Sequence, residues 1–230
     1  MNILVEPFFI GFFQAIISIL IISGLAFSGR YINIFLFKNY QTILLDIIIG
    51  LIIFSQILKI ITYLGYFNKL YVFFSFFFIL VGIYNLKNVI PHFHYKNYLV
   101  RDSKFNIIII LSLLLFLLIS VAPPSMADAL DYHYGIPLYL LKYYQLPNIN
   151  FWLYANVGGN GDIFNTIALY LKTDNFASVL QAICLVLFLV FLKNKINNNN
   201  KFIFTSIFVI SSPTLLQLLS GPKFMILPQI

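Results

Sequence analysis

The sequence predicts an all-α, polytopic membrane protein with about six transmembrane helices and two short interfacial helices in one outer loop. Of the 230 residues, 61% are hydrophobic and only 9% are charged, whereas a soluble domain carries about a quarter charged residues. Six long apolar runs approach the roughly 20 residues that a helix needs to cross a bilayer. Because so few charges cannot cover a soluble globule of this size, we predict that a lipid bilayer surrounds the chain.

The predicted spans divide the chain into two membrane regions. The apolar runs cover residues 7–27, 43–64, 70–86, 107–121, 176–192 and 202–219. The first run is longer than the apolar part of a signal peptide and has no basic flank, so we predict a retained span. We expect a three-span region with a basic loop at 1–105, and a second region at 106–230 that contains the outer loop 122–174. The apolar end of the chain is typical of a fragment or an interrupted protein.

Basic residues predict the orientation of the chain. Nine Lys or Arg residues lie in the loops after the first, third and fifth spans, and three lie after the second and fourth. Cytoplasmic loops are enriched in Lys and Arg, so the N-terminus and the loop 122–174 are predicted to lie outside. The same distribution accounts for the net charge of +7 without nucleic acid as a partner, since the charges do not form one basic face.

Two ionisable residues interrupt the second span. Asp46 lies about one turn from its cytoplasmic end, and Lys59 lies near its outer end. They are about 20 Å apart along a helix and cannot pair. Either they extend to the two membrane surfaces, or they mark an ion or proton path.

The outer loop holds four of the seven acids, the only Trp and a cluster of tyrosines. Pro123 and Pro124 end the fourth span. The apolar segment 136–144 is too short to cross a membrane, and it predicts one interfacial helix. A second short helix is predicted at 162–172, with Asn160 or Gly161 as its N-cap.

The start of the loop permits a structural interpretation. Ser125 and Asp128 have the spacing of a capping box, in which an acid satisfies free N–H groups at a helix start. The Tyr-His-Tyr sequence at 132–134 is also typical of simple anchoring at a membrane surface.

The same residues carry a resemblance to a known family. The sequence Asp-Ala-Leu-Asp-Tyr-His at 128–133, followed by Pro137, resembles a signature of bacterial members of the GT-C superfamily of integral-membrane glycosyltransferases. Gly161-Asp162 resembles the Gly-Glu that opens the second loop helix of such proteins. The resemblance covers residues 106–223. The three spans before residue 106 depart from that pattern, and such enzymes have about ten or more spans.

The resemblance implies transfer of a sugar from a polyprenyl-phosphate donor, on the outer face of a bacterial inner membrane. Asp128 matches the catalytic carboxylate, which would act as general base toward an acceptor hydroxyl. Asp131 and His133 are the predicted accessory catalytic groups. The leaving phosphate needs a positive charge beside it, and two alternatives remain. One is a lysine, and the other is a divalent ion, Mg²⁺ or Mn²⁺, held by Asp128 and Asp131. The residues assigned to substrate binding are Tyr132, Tyr134, Asp162 and Lys142.

Two other functional classes remain open. A transporter subunit is one, although no internal repeat is evident and the polar residues collect in a loop and not at the midplane. A non-catalytic or fragmentary membrane protein is the other. Cys184 lies within an apolar run and is predicted to be a small core residue.

Overall fold

The computed structural model describes residues 5–36, 42–92, 103–121, 133–148, 160–196 and 198–212, and these form helices and short turns without a strand. The predicted all-α fold is therefore confirmed for this part of the chain. The helices are α1 (Val5–Leu36), α2 (Ile43–Tyr63), α3 (Phe67–His92), α4 (Ser103–Val121), α5 (Gly135–Tyr143), α6 (Asn160–Tyr170), α7 (Phe176–Lys195) and α8 (Asn199–Ile210).

Four helices are long and apolar enough to cross a membrane, which makes this an integral membrane protein. They are Phe9–Leu36, Ile43–Tyr63, Leu70–Lys87 and Phe176–Lys195. The described parts of the fourth and sixth predicted spans are also helical, and their apolar helices cover Ile110–Val121 and Asn200–Ile210. The described residues therefore contain four of the six predicted spans at full length.

Two helices continue beyond the predicted ends of their spans. Arg30 and Lys87, which we expected in loops, lie on exposed positions of α1 and α3. Arg and Lys are good helix formers. A single exposed charge at the end of an apolar run therefore does not stop the helix.

Helices α1 and α2 form an antiparallel pair at unusually close range. The side chains of Asn33 and Asp46 are hydrogen-bonded, and a Cβ atom on Gly29 would overlap the Asp46 carbonyl oxygen. Nearer the middle of α1, a Cβ on Gly50 would overlap the Leu25 carbonyl oxygen. Glycine at these positions lets the two backbones approach, as is common between membrane helices.

Helix α3 returns through a tight turn and packs on α1 in the same way. Gly65 has a φ of 75° in this turn, a conformation that glycine adopts without strain. A Cβ on Gly82 would overlap the Leu20 carbonyl oxygen of α1. Asn85 Nδ2 donates to the Ser23 carbonyl at 3.0 Å. Helices α1 and α3, which precede and follow α2 along the chain, therefore run in the same direction.

The C-terminal half of the chain meets α1 near its N-terminal end. The end of α4 lies against α1, where a Cβ on Gly11 would be 2.8 Å from Val121 Cγ1. Asn175, the residue before α7, donates through Nδ2 to the Gly11 carbonyl at 3.0 Å and accepts from Ser18 Oγ at 3.3 Å. Helix α7 thus begins at the end of the bundle where α1 begins and α4 ends. The predicted boundary between 1–105 and 106–230 stays a prediction.

The two short helices predicted within 122–174 are present, but α6 is buried and does not lie on a surface. Every side chain from Asp162 to Ala168 is buried. Helix α6 packs against α2, α3, α5 and α7. Phe164 lies between Phe78 of α3 and Phe176 of α7, with ring centroids 5.4 and 5.7 Å away. The reason is that α6 has apolar side chains on the faces turned toward these neighbours, so it is held within the bundle.

The contacts of α6 show how far it enters the bundle. Near its C-terminal end, the ring of Tyr170 meets that of Tyr71, close to the start of α3. Phe164 meets Phe78, seven residues further along α3, which is about 10 Å at 1.5 Å per residue. The N-terminal end of α6, with Asp162, therefore lies deeper in the bundle than its C-terminal end.

Candidate functional site

The structure brings together two of the predicted site residues, His133 and Asp162. The Nδ1 atom of His133 lies 2.6 Å from Asp162 Oδ1, although the two residues are 29 positions apart. Both are buried, with 6% and 3% of their surface exposed. With the carboxylate ionised, Nδ1–H donates to it, and this defines the tautomer in which Nε2 carries the lone pair.

Each member of the pair is positioned by a short helix. His133 lies two residues before α5, whose first turn contains Pro137, a residue suited to that position because its φ is already helical. Asp162 lies in the first turn of α6, where the free N–H groups and the helix dipole favour a negative side chain. A contact between the two helix starts therefore forms the pair.

A second residue of α6 supports this arrangement. Asn165 is three positions after Asp162 and lies on the same face of the helix. Its Nδ2 atom makes a long hydrogen bond, 3.5 Å, to the backbone carbonyl of His133. The His133 backbone and ring are thus both held by α6.

Tyr134, the residue after His133, connects the start of α5 to the turn that precedes α7. Its hydroxyl donates to the backbone carbonyl of Asp174. Burial raises the pKa of Tyr134 strongly, and the nearby Asp174 carboxylate raises that pKa further. Tyr134 is thus a neutral hydrogen-bond donor inside the fold, and its hydroxyl donates to Asp174 and not to the His133–Asp162 pair.

The remaining predicted site residues are separate from the pair or lie outside the described residues. Lys142 is exposed in the last turn of α5, with its Nζ 5.0 Å from the centre of the Tyr143 ring. At the rise of a helix, the sequence separation between His133 and Lys142 corresponds to about 13 Å. Asp128, Asp131 and Tyr132 fall in a segment that the structure does not describe, so their roles stay predictions.

A family model described as the DUF1420 N-terminal domain matches residues 54–230, more than three quarters of the chain. The chain belongs to this DUF1420 family. Neither the curated proteins nor the solved structures contain a match. The description of the DUF1420 N-terminal domain names no reaction or ligand, and the GT-C resemblance therefore stays a hypothesis.

The matched DUF1420 segment contains the whole candidate site. It begins within α2 and includes α5, α6 and both members of the His133–Asp162 pair. Helix α1 precedes it. The family match therefore covers the site but leaves out the helix on which α2, α3 and α7 pack.

Asp46 lies before the matched segment and forms a separate polar contact. It is buried against α1 and accepts a hydrogen bond of 2.6 Å from Asn33 Nδ2 to its Oδ1 atom. The sequence left two alternatives for Asp46, namely extension to the membrane surface and an ion path. The observed contact is a hydrogen bond between two packed helices, next to the close approach at Gly29, and the ion path stays a prediction.

The donor atoms of the described residues do not form a metal site. No three His, Cys, Asp or Glu side chains come together within the described ranges. The suggested Mg²⁺ or Mn²⁺ depends on Asp128 and Asp131, which lie outside those ranges. Cys184 is buried in the core, as predicted.

Asn165 and Thr166 are buried polar residues beside the pair that were not predicted from the sequence as candidate site residues. Both follow Asp162 at helical spacing, at positions i+3 and i+4, and both are buried. The signal was present, because a helix over 162–172 was predicted and this spacing places the three polar side chains on one face. Only burial of that face distinguishes it from an ordinary solvated one.

Proposed function

We propose that this protein transfers a sugar from a polyprenyl-phosphate donor to an acceptor on the outer face of a bacterial cytoplasmic membrane. The observation that carries the proposal is the buried His133–Asp162 pair. It lies in the segment whose sequence resembles the GT-C glycosyltransferases. Four apolar helices are long enough to cross a membrane, and a lipid-linked donor would be found in that membrane.

The reaction assigns a separate task to each group. An acceptor hydroxyl attacks the anomeric carbon of the sugar, and the bond from that carbon to the phosphate oxygen breaks. Asp128 takes the hydroxyl proton as general base. The departing polyprenyl phosphate gains negative charge, which a nearby donor or cation must stabilise.

His133 is the group that we assign to the departing phosphate. Asp162 holds the ring orientation through Nδ1 and compensates positive charge when the ring carries both protons. A ring held in this way presents Nε2–H as a fixed, charge-assisted donor to a phosphate oxygen. The buried position strengthens such an interaction because water screens it less.

The distribution of basic side chains supports the outer-face orientation. Arg30, Lys87, Lys195 and Lys201 are exposed near the C-terminal ends of α1, α3 and α7 or at the start of α8. The aromatic contacts of Tyr71 place the C-terminal ends of α5 and α6 at the opposite end of the bundle. An excess of Lys and Arg is typical of the cytoplasmic side, so the short helices face outward.

The proposal is tested with full-length protein in membranes and a radiolabelled polyprenyl-phosphate hexose as donor. Asp128→Asn should lower turnover about 10²- to 10⁴-fold through loss of the base. His133→Asn should lower it about 10²- to 10³-fold, as expected when one donor to developing charge is lost. Asp162→Asn, which keeps the shape but removes the charge, should lie between wild type and His133→Asn.

Asp174→Asn is the matched control, because Asp174 comes from the same segment and accepts the Tyr134 hydrogen bond with its backbone carbonyl, which the substitution leaves in place. Its turnover should remain near that of wild type. The amount of folded protein must be equal in all variants. Wild-type turnover in both His133→Asn and Asp162→Asn would contradict the proposal and leave the pair with a structural role.

Transport of a solute is a second candidate function, and the position of α6 favours it. A short helix whose N-terminal end lies inside the bundle resembles the broken helices that form binding sites in transporters. Detergent-solubilised protein separates the two functions. A transferase still makes product without a sealed compartment, whereas transport requires two separated compartments.

A further inference from the structure

The polar face of α6 is buried inside the protein. This face consists of Asp162, Asn165 and Thr166, with 3%, 1% and 0% of their surface exposed. Positions i, i+3 and i+4 lie on one side of a helix. The neighbouring residues Ile163, Phe164 and Ile167 are also buried, so α6 is enclosed on its polar and its apolar faces.

The hydrogen bonds of this face are incomplete. Asp162 contacts the His133 ring, and Asn165 Nδ2 contacts the His133 carbonyl. Two further buried atoms, Asn165 Oδ1 and Thr166 Oγ1, have no hydrogen-bond partner among the residues that the structure describes. Buried polar atoms in proteins are nearly always paired with protein, water or a ligand. Two unpaired atoms on one helical turn indicate that a ligand or water completes this face.

The chemistry of the face selects the kind of ligand. An anionic group at Asn165 would find an acceptor, not a donor, in the unpaired Oδ1 atom, so this position does not suit a phosphate. A cation would compete with His133 for the one carboxylate of the face. Neutral hydroxyl groups fit best, because each can donate to Asn165 Oδ1 and can exchange hydrogen bonds with the Thr166 hydroxyl.

We propose that Asn165 and Thr166 bind hydroxyl groups of the donor sugar and thereby determine sugar specificity. This inference rests on the proposed function, because the sugar reaches α6 only as part of the lipid-linked donor. His133 then lies at the phosphate, and the next turn of α6 lies at the sugar. Helix α6 therefore holds both parts of the headgroup on one rigid element.

The test compares binding of two lipids to purified full-length protein in nanodiscs. The probes are bare polyprenyl phosphate and polyprenyl phosphate carrying glucose, mannose or galactose. Wild type should bind one glycosylated lipid more tightly than the bare lipid. Asn165→Leu and Thr166→Val should each lower affinity for that glycosylated lipid about 5- to 10-fold, the usual effect of one lost hydrogen bond. Affinity for the bare lipid should remain unchanged in Thr166→Val, the variant that leaves the hydrogen bond from Asn165 to the His133 carbonyl intact.

Thr166→Val keeps the shape of the side chain and removes only the unpaired hydroxyl, so this variant should fold at least as well as wild type. Thr205→Val is the matched control, because Thr205 is partly exposed on α8 and donates to the Lys201 carbonyl. It should leave the affinity for both lipids at the wild-type level.

The outcomes separate this inference from the proposed function. An undiminished preference for the glycosylated lipid in both variants would overturn the sugar-binding role and leave the proposed function standing. The face would then hold water. Wild-type protein that binds neither lipid would overturn the proposed function and this inference together.

Discussion

His133 and Asp162 are two buried ionisable side chains that contact each other. Removing such a pair from water costs several kcal/mol per ion, and the mutual attraction repays this only in good geometry. Replacement of a buried pair by apolar side chains is often neutral or stabilising. Burial of His133 and Asp162 is therefore weak evidence for a contribution to stability, and the proposed chemical role is tested by the variants of the two residues.

Tyr134 provides a test of buried polar contacts at high pH. The unfolded chain releases a tyrosine proton near pH 10, whereas burial and Asp174 raise the pKa of Tyr134 in the folded protein. The stability that depends on neutral Tyr134 is therefore complete below about pH 10 and is lost as the pH rises toward the folded pKa. The loss should be at most about 1.4 kcal/mol per pH unit.

Tyr134→Phe should cost about 1 kcal/mol between pH 7 and 9 through loss of the hydrogen bond to Asp174. Its stability should approach that of wild type above about pH 10. Thermal unfolding in detergent from pH 8 to 11 measures this difference. Tyr66→Phe is the control, because Tyr66 is exposed. A constant difference between Tyr134→Phe and wild type at every pH would contradict the prediction.

The two short helices have well-defined C-terminal ends despite their length. Tyr144 after α5 and Lys172 after α6 have φ values of 58° and 57°, in the left-handed region that usually holds glycine at helix ends. After α6, the Lys172 N–H contacts the Leu169 carbonyl and the Thr173 N–H contacts the Ala168 carbonyl. This is the Schellman pattern, and it turns the chain from α6 into α7.

Lys172→Gly should stabilise the protein. In the left-handed conformation, a residue with a Cβ atom destabilises the folded state by about 1–2 kcal/mol. Glycine makes the unfolded chain more flexible, which lowers the free energy of unfolding by about 0.4–1 kcal/mol. The net gain should be about 0.5–1 kcal/mol, measured as a higher unfolding temperature in detergent. Lys142→Gly is the matched control, because Lys142 lies within helix α5, where glycine costs about 1 kcal/mol. Destabilisation by Lys172→Gly would argue against the Schellman end of α6.

In the whole molecule, the long helices form a frame and the short helices enter it from one end. Glycine contacts hold α1 close to α2 and α3. Asn175 then ties the start of α7 to α1 through two hydrogen bonds. This frame leaves room for α6, whose buried faces meet α2, α3, α5 and α7. The candidate site therefore depends on helices from both halves of the chain.

The proposed orientation predicts which positions react from outside the cell. Lys142 and Asn198 are both exposed, and they lie at opposite ends of the bundle in the proposed topology. A membrane-impermeant maleimide should label Lys142→Cys in intact cells and label Asn198→Cys only after permeabilisation. The native Cys184 is buried, so unmodified protein should remain unlabelled and serves as the control. The reverse labelling pattern would overturn the outer-face orientation.

The sequence by itself determined the membrane class, the helical fold and the presence of two short helices after the fourth apolar run. It also proposed His133 and Asp162 individually as candidate site residues, and those roles stay predictions. These features follow from local properties, namely run length, charge content and helical spacing. Asn165 and Thr166 were not predicted, although their spacing from Asp162 was visible. The roles of residues 128, 131 and 132 stay predictions.

Only the tertiary structure decided that His133 contacts Asp162 and that both faces of α6 are buried. A polar face at helical spacing is the same in sequence whether water or protein covers it. The difference comes from contacts between distant parts of the chain, such as Phe164 with Phe78 and Asn33 with Asp46. Local patterns do not contain these contacts, because packing between helices depends on which side chains fit together across the whole bundle.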